Sequence, residues 1–320
     1  DAKGLLKSAF ADPNPVLFYE HKGLYDEQGD VSGLPVPIGK ARIVREGRDL
    51  TVITYGATVV PPVLRPEVAC PMRDNPVKAK LAAGGSAYGA MVFEFWSAGL
   101  PQICTNAGAE FVLYDMEHTG LSFETLKTQV ALCRGLDIVP MVRVPRGEYH
   151  FIARALDVGA LGVMVPMVGT ADEAAHVVAC TRYPPEGRRG AAFGFAHDDY
   201  RGGDVAAKIA AIHARTLVIA QIETAEGLAH VEAIAATPGV DALWLGHFDL
   251  TNFMGIPGAF RHPDYLAAVR RIVTACTAHG KTAAFLAADD DWAREYKAHG
   301  FRLMAYGLDQ AMLGDALRRG

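Results

Sequence analysis

The sequence predicts a closed (β/α)8 barrel, an α/β fold of eight parallel strands each followed by a helix, behind an N-terminal extension. Three observations lead there. Eight short apolar runs rich in β-branched residues recur between residues 75 and 320, as strands buried on both faces do. Amphipathic stretches of helical period separate most of them. The span 75–320 also fits the roughly 250 residues that such a barrel needs. An open doubly wound sheet is the competing architecture. It calls for a glycine-rich phosphate turn after the first strand, and GGSAYG (84–89) leads into that strand instead.

The predicted strands, in order, are Ala87–Phe95, Phe111–His118, Asp137–Pro145, Leu161–Val168, Thr216–Thr224, Ala242–Leu250, Thr282–Asp289 and Phe301–Asp309. FETLKTQVALCRG follows the second strand and DEAAHVVACTRY the fourth, both with apolar residues at helical spacing. Gly135, Gly280 and Gly300 close helical stretches, where a left-handed stop is expected. Ahead of the barrel, PPVLRPEVACPMRDNP (61–76) carries Pro61, Pro62, Pro66, Pro71 and Pro76. That density permits neither helix nor central strand, so residues 61–74 read as a semi-rigid linker. Residues 1–60 form a separate segment in which DLTVITYGATVV has a strand's pattern. Unpaired, such a strand is an association hazard.

The chain has 320 residues, 50% of them hydrophobic and 21% charged, which buries a sizeable core and excludes a disordered or fibrous chain. A formal net charge of -5 carries no footprint for nucleic acid or a membrane surface. No apolar run reaches the roughly 20 residues that span a bilayer, and no secretory signal stands at the start. The cysteines Cys70, Cys104, Cys133, Cys180 and Cys276 are odd in number and never spaced CxxC. A disulfide framework or structural zinc site is not expected, and a cytoplasmic setting is.

Barrel enzymes place their chemistry at the carboxyl ends of the strands. There the sequence offers Asp115, Glu117 and His118 after the second strand, Arg143 after the third, Gln221 and Glu223 after the fifth, and His247 and Asp249 after the sixth. Gln221 and Glu223 share one side of their strand by its period of two. Glu223 and Asp249 read as equivalent positions on neighbouring strands, two oxygen ligands that suit Mg2+ or a similar hard ion. Helix capping or pairing with an arginine is the plainer role for each. The Arg143 guanidinium suits a carboxylate or developing oxyanion, or else an ion pair with Asp115 or Glu117. His118 suits a general base, with Asp157 as its orienting partner if the fold brings them together. A Schiff-base mechanism needs a lysine near a strand's carboxyl end. None lies there, and Lys281 sits at the amino end of strand seven.

NPVKAKLAAG (75–84), DMEH (115–118), PMVRVP (140–145), ALDVGALGVMVPMV (155–168), RYPPEGRRG (182–190), QIET (221–224) and GHFDL (246–250) together resemble the HpcH/HpaI aldolases. These are metal-dependent class II pyruvate aldolases acting on 4-hydroxy-2-oxo acids. The resemblance implies Glu223 and Asp249 as metal ligands, with Mg2+ first and Mn2+ or Co2+ as alternatives. It implies Arg143 as the group that binds the 2-oxo acid and stabilises its enolate, His118 as base and Asp157 as the carboxylate orienting it. Asp115 and Gln221 match further active-site positions. The products implied are pyruvate and an aldehyde, and the assembly implied is a trimer or hexamer. The family usually has proline after the glycine of the metal-ligand loop, whereas His247 and Phe248 follow Gly246 here, so Gly246, His247 and Phe248 are expected to line the substrate site.

Residues 5–25 and 38–59 resemble a fragment of the beta subunit of 2-oxo acid dehydrogenases. The stretch is far too short to be that subunit, so neither thiamine diphosphate nor dehydrogenase activity is carried over. Three other functions compete: oxaloacetate decarboxylation by an enolate enzyme resembling macrophomate synthase, acyl-CoA cleavage like that of citrate-lyase beta chains, and an assembly module with an inactive barrel.

Overall fold

The computed structural model describes residues 72–320 together with Lys7, Ser8, Ala9 and Ala11. The N-terminal segment, its strand-like DLTVITYGATVV and most of the linker lie outside the described residues. The chain divides at residue 71, and the unit 72–320 holds every strand named below.

Eight parallel strands close a barrel in chain order, the eighth pairing back onto the first. They are β1 (Ala87–Val92), β2 (Phe111–Asp115), β3 (Val139–Arg143), β4 (Gly162–Val165), β5 (Leu217–Ile222), β6 (Ala242–Leu245), β7 (Thr282–Ala287) and β8 (Leu303–Leu308). Each falls inside a predicted run. The runs overshoot because their last residues leave the ladder and turn toward the mouth. The largest departure is the sixth run, whose residues 247–250 are helical. Gly246 begins the helix His247–Phe253, and its carbonyl accepts the Leu250 N–H.

Two apolar layers hold the barrel. Inward-facing Leu113, Met141, Met164, Ile219, Trp244 and Leu303 fill its interior. Alternate residues such as Val112, Val142, Val163, Val218, Leu243 and Phe285 face the helices. That division follows from the period-two pleat. The first helix of this unit, α1 (Pro76–Ala82), seats Val77 and Leu81 in the interior layer. Asn75 caps it by accepting the Lys78 N–H, and its amide donates to the carbonyls of Leu161 and Arg215. Lys281 donates to the Val240 carbonyl at the amino end of β7.

Several outer helices are capped as their sequences dictate. Ser122, Thr170, Asp204, Thr224 and Asp289 each accept an N–H of the following helix. Gly135, Gly280 and Gly300 adopt positive φ of 80°, 64° and 106°, the left-handed stops expected of them.

Candidate active site

Strand register brings the polar residues together at the mouth. Asp115 stands level with Arg143 across β2 and β3, and both side chains follow the inward parity of Leu113 and Met141. Arg143 Nε donates to Asp115 Oδ1 at 2.5 Å, while its Nη1 lies 3.0 Å from Glu117 Oε2. Asp115 also accepts the backbone N–H groups of Glu117 and His118. One buried carboxylate thus fixes the turn that carries the next two polar residues. Phe93, just beyond β1, lies over the guanidinium 5.5 Å away. Burial pushes the Glu117 carboxyl above its usual range, against the pull of Arg143. His118 is 56% exposed on the rim, its Nε2 3.6 Å from Glu117 Oε2.

Gln221 and Glu223 do share the inward side of β5. Gln221 Nε2 donates to Glu223 Oε2, and the Met167 N–H donates to Glu223 Oε1 at 2.7 Å. Glu223 is 1% exposed, and burial pushes its carboxyl up to about 7, with the charges of Glu117 and Asp249 adding to the rise. Gln221 Oε1 is a buried acceptor without a hydrogen-bond partner among the described residues. The neighbouring glycine is required by space: a Cβ on Gly246 would lie 2.5 Å from Glu223 Oε2.

Asp249 is not Glu223's counterpart on the next strand. Gln221 pairs with Trp244 and Ile222 with Leu245, so Gly246 is level with Glu223. Asp249 belongs to the first turn of the helix His247–Phe253, which places its charge near Glu223 and Glu117 from the rim.

This donor set suits a hard divalent cation. Among the described residues no group of three or more His, Cys, Asp or Glu side chains converges as a metal site. Mg2+, however, needs only one or two carboxylates from protein, with waters and substrate oxygens completing its shell. The buried Glu223, its Asp249 neighbour and the unpartnered Gln221 oxygen supply negative charge and acceptors without a matching cation of their own.

A family model described as HpcH/HpaI aldolase/citrate lyase matches residues 95–316. The chain belongs to this family. It is 37% identical to the hydroxypyruvate/pyruvate aldolase of Chromohalobacter salexigens over 76% of this chain and 94% of that relative. It is 36% identical to the 5-keto-4-deoxy-D-glucarate aldolase of Shigella dysenteriae over 77% and 94%. Among solved structures it resembles the HpcH/HpaI aldolase of Desulfitobacterium hafniense DCB-2, with a TM-score of 0.74, 27% identity and coverage of 78% and 95%. The chain is a carbon–carbon lyase.

Within this aldolase-family barrel two of the predicted residues stand apart from the cluster at the mouth. Asp157 ends the helix Tyr149–Asp157 that returns from β3 to β4, so it lies at the base of the barrel, opposite His118. There it accepts from Arg189 Nη2 at 2.6 Å. His247 packs in the outer layer among Phe248, Phe260, Phe285 and Trp292, with ring centroids 4.6–5.3 Å away. Burial pushes its imidazole down to about 4, so it is neutral near pH 7. The ring that reaches the surface is Phe248, 62% exposed. Glu117, one of the strand-end acids the sequence offered, does pair with Arg143. Sequence reasoning missed the Met167 N–H, a backbone group that left no signal beyond the proline before it.

Proposed function

We propose that this chain is a divalent-metal-dependent class II aldolase that reversibly cleaves a 4-hydroxy-2-oxo acid to pyruvate and an aldehyde. The observation that carries the reading is Glu223: a buried carboxylate, raised to about 7, beside Asp249 and an unpartnered amide oxygen. A divalent ion held by Glu223 and Asp249, with Mg2+ the first choice, would supply Lewis-acid charge for the 2-oxo group.

The chain's own residues do the rest. Arg143 is fixed by Asp115 and Glu117, so its remaining donor edge is preorganised for a carboxylate or enolate oxygen. His118 stands exposed on the rim, free to take the C4 hydroxyl proton in cleavage and return it in synthesis. As that proton leaves, the C4–O bond becomes a carbonyl, the C3–C4 bond breaks, and its electron pair passes into the pyruvate enolate. Phe248 and Phe93 give the mouth an apolar side for the aldehyde. The names of the relatives support a 2-oxo acid substrate. Asp157 lies at the opposite end of its own barrel, so the orienting role implied by the resemblance requires a second copy of the chain, in keeping with a trimer or hexamer. The four described cysteines are buried and free, which supports a reducing, cytoplasmic setting.

The test is a pyruvate-coupled assay across aldehydes. Chelator is expected to abolish turnover, and Mg2+, Mn2+ or Co2+ to restore it. Full activity in Glu223→Ala or Asp249→Ala would sink the reading.

A further inference from the structure

Beyond β4 the chain runs Val165-Pro166-Met167-Val168, and Met167 adopts a left-handed backbone with φ of 59°. Left-handed backbone is uncommon outside glycine and mostly tolerated by Asn and Asp. Non-glycine residues keep it where the surroundings enforce it, often at functional sites. The surroundings here are explicit. Pro166 has no N–H, so Met167 supplies the first backbone donor past the strand. That donor reaches Glu223 Oε1 at 2.7 Å. The other carboxylate oxygen is held by Gln221 and roofed by Gly246, where no side chain fits. The Met167 side chain takes no part in this. It is 47% exposed and borders a cavity of about 580 Å3 formed with Pro145, Arg146, Val165 and His176.

We infer that Met167 is a positioning residue for Glu223, acting through its left-handed backbone N–H and not through its side chain. The inference rests on the reading of Glu223 as a metal ligand. It makes a prediction that the reading alone does not: at position 167, tolerance follows backbone preference rather than side-chain size. Glycine and asparagine adopt positive φ readily, so Met167→Gly and Met167→Asn retain the hydrogen bond. Valine is β-branched and disfavours that backbone, and proline both fixes a negative φ and removes the donor.

Mn2+ binding to the full chain, followed by the electron paramagnetic resonance signal of the free ion, reads this out without catalysis. Met167→Gly and Met167→Asn are expected to bind within about twofold of the parent. Met167→Val and Met167→Pro are expected to bind roughly 10–100-fold more weakly, the usual cost of losing a group that orients a metal ligand. The thermal midpoint of each metal-free variant checks folding; should the proline variant unfold, the valine and asparagine pair carries the test. Equal loss in the asparagine, glycine and valine variants overturns the inference, because the side chain would then be what matters. Parent-like binding by the valine variant overturns it too. A parent protein that binds no Mn2+ overturns the metal reading itself, and the inference with it.

Discussion

The mouth and the base of this barrel use the same residue types to opposite ends. At the base, Asp199 accepts from Arg73 through two groups and faces Arg134 and Arg215, while Asp198 holds Lys208 and the Gly194 N–H. Both carboxyls are drawn below their usual range by these partners, despite their burial. At the mouth, Glu223 and Glu117 are pushed up, because burial and neighbouring acids outweigh the donors present. The base has more positive charge than its acids need, and the mouth has less. Barrel folds keep stability at the amino ends of the strands and chemistry at the carboxyl ends. The opposite directions in which these carboxyls are shifted follow that division.

Paired substitutions test the contrast most severely. Glu223→Ala is expected to cut pyruvate release by on the order of 10²–10³-fold or more and to leave the thermal midpoint nearly unchanged. Asp199→Asn is expected to do the reverse. It keeps a residue that tolerates φ of 54° and removes the charge that Arg73, Arg134 and Arg215 share, at a cost of about 3 kcal/mol. Turnover per folded molecule should hold. If urea denaturation shows both variants losing stability alike, the division is wrong.

Acid and base then separate the two ends by pH. Asp198 and Asp199 have depressed values, so their contribution is present above the ordinary 3.8 and is lost as pH falls below it. Glu223 is raised from 4.5 to about 7, so the folded metal-free protein binds more protons than the unfolded chain in that window. Stability therefore falls as pH rises from about 4.5 to about 7. Glu223→Gln removes this penalty. Its amide oxygen can still accept from Met167, and Gln221 can turn its unpartnered oxygen toward the new NH2 group. The variant is expected to gain on the order of 1–3 kcal/mol over the parent at pH 7 and little at pH 4, measured by urea denaturation in chelator. An equal gain at both pH values would show that the charge is not the cause.

How far the sequence reached follows the same line between side-chain pattern and backbone path. Strands and their inward parity were legible because apolar alternation and β-branching report burial directly. Gln221, Glu223, Asp115 and Arg143 could therefore be gathered from sequence alone. The start of the helix His247–Phe253 was hidden, because GHFDL extends an apolar run and Gly246 offers no side-chain cap. That concealed the true level of Asp249 and the outward path of His247. The place of Asp157 follows from topology: a helix that begins at the mouth ends at the base. The Met167 donor was out of reach, since φ at a non-glycine position has no reliable sequence mark.

His247 gives the smallest effect and the finest test of where the mouth ends. Its ring lies in the outer aromatic layer with Phe260, Phe285 and Trp292. If the imidazole served as a ligand or substrate contact, replacing it would cost activity as heavily as replacing Asp249. If it serves as a neutral ring that anchors the helix His247–Phe253, a phenyl of similar shape should stand in. Imidazole held down to about 4 has already lost its charge at pH 7, so His247→Phe removes no ion and adds modest apolar volume. The expected change is under about 1.5 kcal/mol, with Mn2+ affinity and KM for the 2-oxo acid within a few-fold of the parent. A collapse of metal affinity in this variant, at unchanged thermal midpoint, would move His247 back into the site.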